Sequence, residues 1–119
     1  MGDYFNRFVE LSLKTTCSWD ALKDKNIRRN HNRAMTSLHL LQLEEMYMEP
    51  DRCTEVAARL LEHDDVRVCL HAAAYCIKAE VHVQQALALL DEISGNDPDR
   101  WVRTTARLNK ELCVPFSMQ

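Results

Sequence analysis

Residues 53–80, CTEVAARLLEHDDVRVCLHAAAYCIKAE, leave this chain few folds to choose from. Val56, Ala57, Leu60 and Leu61 fall at the 3, 4, 7 spacing of a helical stripe, and Val68, Cys69, Ala72, Ala73, Cys76 and Ile77 form a second one. Between them lies an acidic turn in which Asp64 or Asp65 can cap the second helix. Two helices joined so tightly cannot bury both stripes against each other alone. They need neighbouring helices.

The rest of the sequence supplies them. With 2 Gly and 3 Pro in 119 residues, hairpin turn chemistry is nearly absent, so the expected class is all-α. A first helix is expected over Asp3–Lys14, with Phe5, Phe8, Val9 and Leu13 inward. A polar break with Ser18 as a cap precedes a second helix within Asp24–Met48, its front half weakened by Asn26, Asn30 and Asn32 so that the firm part begins near His31. Glu49-Pro50-Asp51 stops it, and Asp51 can cap the next. After Glu80 a further stripe, Val83, Ala86, Leu87, Leu90 and Ile93, runs to Gly95 as the residue following a helix. Asp97-Pro98 reads as a cap and first helical position, opening a last helix to about Leu112. One domain over residues 1–114 and a tail over 115–119 follow from this pattern.

Composition excludes several chemistries. Neither a phosphate-cradling loop nor a GxSxG nucleophile motif can be built from two glycines. His31, His39, His63, His71 and His82 form no HExxH, and Cys17, Cys53, Cys69, Cys76 and Cys113 form no CxxC, so neither a metal nor another cofactor is expected. Three of those cysteines lie on apolar faces, where packing outweighs reactivity, and reduced thiols suit a cytoplasmic protein. No segment has the length and apolarity of a membrane span. The chain is expected not to be an enzyme.

An internal repeat points to the architecture. EVAARLLEH at residue 55 and QQALALLDE at residue 84 share an Ala and a Leu-Leu pair. Each is followed by an acidic turn and a helix with Val and Ala four apart, Val68/Ala72 and Val102/Ala106. The tetratricopeptide pattern is missing, and Leu70-His71-Ala72-Ala73 lacks the Thr-Pro and the glycine turns of ankyrin. DDVRVCLHAAAYCI and the weaker DRWVRTTARL resemble HEAT-like repeats. More narrowly, Leu60–Leu112 is similar to a family of small bacterial helical-repeat domains that includes single-domain immunity proteins of polymorphic or contact-dependent toxin systems. That resemblance implies an α-α superhelix, a short right-handed solenoid of antiparallel helix pairs, and a toxin domain as the protein partner. No catalytic residue travels with it.

A HEAT-like stack would put its second helices on the inner side, exposing His71, Tyr75, Arg103 and Arg107 there and the acidic groups Glu62, Asp64, Asp65 and Asp91 at turns and outer helices. Opposite-signed surfaces suit protein recognition. The basic run Lys23–Arg33 offers a rival, nucleic-acid binding, although no aromatics interleave it. A scaffold or regulatory subunit is a third reading.

Overall fold

Aspartate side chains set the start of four of the six α-helices in the computed structural model, which describes residues 3–119. The first two positions of the expected domain lie outside those residues. Asp3 caps α1 (Tyr4–Leu13) and Asp24 caps α2 (Lys25–Leu40), while Asp65 and Asp99 cap α4 (Val66–Ala79) and α6 (Arg100–Leu112). Each carboxylate accepts a backbone N–H that the first helical turn cannot satisfy internally. Asp24 accepts two, from Asn26 at 2.8 Å and Ile27 at 3.1 Å. That is why α2 starts at Lys25 and not near His31: the cap outweighs the three weak asparagines. The other two are α3 (Pro50–Leu61), which has Pro50 in its first turn, and α5 (Val83–Asn96).

Several boundaries differ from the sequence reading for local reasons. Asp51 lies inside the first turn of α3, where its charge suits the helix dipole without capping it. Gly95 is helical, because α5 continues until the Asp97 N–H bonds the Ile93 carbonyl at 3.1 Å. Asp97 spends its side chain on the Asp99 N–H at 2.9 Å, an Asx turn that moves the start of α6 two residues on. The long second helix changes pitch at its end: Leu41–Met46 is a π turn, with the Tyr47 N–H on the Gln42 carbonyl at 2.8 Å. It turns Leu41, Gln42 and Met46 inward together. Leu13, expected inward, is exposed, and Tyr4 and Ser12 join Phe8 on the buried side of α1.

No strand occurs among the described residues, and the all-α class holds. The helices gather round α4, eight of whose fourteen residues are buried, and α1, α3, α5 and α6 all pack on it. A helix apolar on every side is one buried on every side. The radius of gyration, 13.6 Å, is the value expected of a chain this long folded into one compact body. Short connections keep successive helices adjacent. The three-residue connection Glu80–His82 holds two left-handed residues, Glu80 (φ 58°) and His82 (φ 47°), neither of them glycine. The His82 ring bonds the Thr54 carbonyl at 2.9 Å and anchors that turn to α3.

Long-range arginine contacts help fix α1. Arg7 meets Glu45 through two bonds, 2.8 and 2.7 Å, joining α1 to the π turn. Arg67 grips Asp65 and donates to the Leu13 carbonyl at 2.8 Å, closing the open end of α1 onto the start of α4.

The expected tail is not loose. After Cys113 the chain forms a last 3₁₀ turn, Phe116–Met118, which buries Phe116 beside Tyr47 and Tyr75. At the centre, Ala73 has no exposed surface. Ala73→Leu is expected to overpack that contact and cost about 1–3 kcal/mol, read as a lowered urea midpoint. An unchanged midpoint would mean that α4 has room there.

Candidate binding surfaces

The inner row expected from the sequence is not one continuous exposed surface. Tyr75 is 2% exposed, its ring edge-on to Phe8 of α1 at 6.3 Å between centroids. His71 lies among protein atoms on α4, bonded through Nε2 to Thr15 Oγ1 at 3.0 Å. Helix α1 and the connection after it cover the face that an open stack would leave free. On α6, Arg103 donates to the Asp97 carbonyl at 2.6 Å, and Arg107 remains exposed.

The acidic group divides as well. Asp65 is held by Arg67, which keeps its carboxyl below the usual carboxylate range, and Asp91 pairs with Lys110. Glu62 and Asp64 are exposed and form no ion pair among the described residues. Glu62 gains a setting that spacing alone could not give. With Glu92 it edges a groove between α3 and α5, about 470 Å³ in volume, whose floor includes Ala58, Leu61, Ala88 and Leu89. Glu92 also lacks an ion-pair partner among the described residues. An apolar floor between two free carboxylates offers burial to a side chain and attraction to a cation beside it.

Helix α2 is the opposite surface. It carries Lys25, Arg28, Arg29 and Arg33 and no carboxylate, which leaves the rest of a chain of net −3 at −7. None of the four joins an ion pair among the described residues. The recess they line is bounded by α2 alone, so it is the relief of one helix and has no second wall.

A third feature was invisible in the sequence. A cavity of about 290 Å³ lies between the connection after α1, α2, α4 and α6. His31 and His71, forty residues apart in the chain, both line it with Lys78, Asn109 and Trp19. Of these, His71 alone belongs to the inner row expected from the sequence, and that row was expected to be open. Burial lowers the His71 pKa to about 4 and lowers that of His31 too.

The thiols are all free, and burial raises each of them, Cys76 to about 12. Such groups are poor nucleophiles at neutral pH. Among the described residues no three His, Cys, Asp or Glu side chains are grouped to hold a metal ion. No described helix is long and apolar enough to cross a membrane. Comparison with protein-family models, curated proteins and solved structures gives no match.

Proposed function

We propose that this chain is a non-enzymatic protein-binding domain, and in its sharpest form an immunity protein that occupies and neutralises a bacterial toxin. The α3–α4 and α5–α6 pairs are read as HEAT-like repeats, closed off on one side by α1 and α2. The supporting observation is the groove between α3 and α5, with Glu62 and Glu92 unpaired at its edge. A basic segment of a toxin fits it, a Lys or Arg stem lying on Leu61 and Leu89 with its head group between the carboxylates. A nuclease toxin suits this chemistry, since a site that attracts phosphate also attracts carboxylate. Rigidity is what such a blocker needs, because a preorganised surface loses little on binding.

The test is Glu62→Lys combined with Glu92→Lys. Both residues are exposed, so the fold should survive. Affinity for a toxin encoded beside this chain should fall by about 2 kcal/mol or more, and protection of cells expressing that toxin should be lost. Full protection by the double variant would reject the groove as the interface.

A second reading, nucleic-acid binding, is favoured by the carboxylate-free α2. Four phosphate contacts on a single strand would give a log–log salt slope of about −3, and Arg29→Gln with Arg33→Gln should flatten it by roughly 1.4. RNA binding with that slope, together with no protection against any neighbouring toxin, would replace the first reading.

A further inference from the structure

We propose that the cavity between the α1–α2 connection, α2, α4 and α6 is a binding site for a small organic carboxylate, held by Lys78, His31 and His71. The proposal is independent of the groove and of any protein partner.

Charge is the first ground. The chain has 18 acidic residues, yet none lines this cavity, while three basic side chains do. Lys78 is half-buried, and its polar partner is the Gln42 amide oxygen at 3.5 Å, at the outer limit of a hydrogen bond. Its ammonium also stands over the Phe116 ring at 5.8 Å. Neither neighbour is a counter-charge, and a cation drawn into protein without one is costly.

The hydrogen-bond inventory is the second. Thr15 Oγ1 donates its proton to the Ser12 carbonyl at 2.7 Å, so toward His71 it acts as acceptor from Nε2–H. That leaves His71 Nδ1 without a protein partner among the described residues. His31 Nδ1 accepts the Thr16 N–H at 3.1 Å, which puts the His31 proton on Nε2, again without a partner. One free N–H, one ammonium and one free ring nitrogen are thus available at a single cavity.

Shape is the third. Apolar wall comes from Trp19, Leu22, Met35, Leu70 and Leu108, so the site favours a carboxylate bearing a hydrocarbon or ring body over inorganic phosphate. The volume, about 290 Å³, equals the share of roughly ten liquid waters and sits at the small end of ligand pockets. Trp19 lines the site while stacked on Trp101 at 4.8 Å, so occupancy should alter the fluorescence of that pair.

An anion beside His71 favours its protonation, which makes Nδ1 a further donor. The other titratable groups at the cavity are His31 from α2, Lys78 from α4 itself, and the thiols of Cys17 and Cys113. None is acidic in the relevant range, so binding should tighten as pH falls from 8 to about 5.5.

The full chain is titrated with benzoate and, separately, with benzamide, its neutral isostere, following tryptophan fluorescence and the imidazole proton resonances. Benzoate should saturate, shift the His31 and His71 resonances, and bind about tenfold or more tighter than benzamide. Lys78→Met keeps the apolar stem and should weaken benzoate about tenfold. Ala74→Leu, which grows a buried wall residue into the cavity, should abolish binding with the helical spectrum retained. Arg29→Gln with Arg33→Gln should change nothing. Equal affinity for benzamide, no saturation below ~10 mM, or loss in the α2 variant instead of in Ala74→Leu would each overturn the site. The wild-type titration decides the matter even if Lys78→Met fails to fold.

Discussion

Phe116→Ala is expected to lower the unfolding free energy by about 3 kcal/mol, the low end of the range for a buried phenylalanine. Phe116 is 7% exposed in the last turn of the chain. Its ring lies 5.0 Å from that of Tyr47, beside the π turn, and 6.5 Å from that of Tyr75 on the central helix. Removing it opens a gap against both and takes away the ring under the Lys78 ammonium. The low end applies because a chain terminus can move inward to refill part of the space. For a domain stable by about 5–15 kcal/mol, the loss is a large fraction of the total. Urea unfolding measures it, with Met118→Ala as control, since Met118 is 73% exposed and should shift stability by no more than about 0.5 kcal/mol. Equal effects of the two substitutions would show that the last turn is not docked in solution.

Phe116 also marks a limit of the sequence reading. A lone aromatic after Pro115 has no periodicity around it, so nothing in the local pattern says that it is buried. The helices were legible because apolar spacing and aspartate caps agree, as at Asp65 with Val66–Ala79. Helix ends were less so. Asp97 can cap a helix or turn onto Asp99, and only the tertiary path chooses. The inner row failed for a reason that the sequence does contain. Ala72, Ala73 and Ala74 are consecutive and all buried, which one apolar face cannot accommodate. Such a run says that α4 is enclosed, and it carries Tyr75 inside and His71 partly inside with it. Glu62 was named from its turn, but its pairing with Glu92 across a groove depends on how α3 and α5 lie together. The cavity depends on the meeting of His31 and His71, which no spacing rule reaches.

The partial burial of His71 is expected to give the protein an acid-sensitive stability. Its pKa in the fold is about 4 against 6.5 for the free imidazole, chiefly because burial disfavours the cation, with Lys78 and His31 adding repulsion. Since the folded value is the lower one, the unfolded chain binds more protons between those two pH values. Stability from this group is therefore complete above about pH 6.5 and is lost as pH falls toward 4. The full difference corresponds to about 3 kcal/mol, and His31, also lowered, acts in the same direction. The carboxylates of Asp65 and Glu45 are lowered by their arginine partners, so their contributions persist through this window and fade below the usual carboxylate range. Urea unfolding at pH 7.5, 6, 5 and 4.5 should show a decline beginning near 6.5, well before the carboxylates titrate. His71→Gln removes the titrating group and should flatten the upper part of that curve, although losing the bond to Thr15 lowers stability at every pH. A decline of the same size and midpoint in His71→Gln would assign the acid sensitivity to another group and place His71 in contact with bulk water. Benzoate supplies the converse check: if it binds beside His71, it should raise the imidazole pKa and protect the fold most in the range where the unliganded protein weakens.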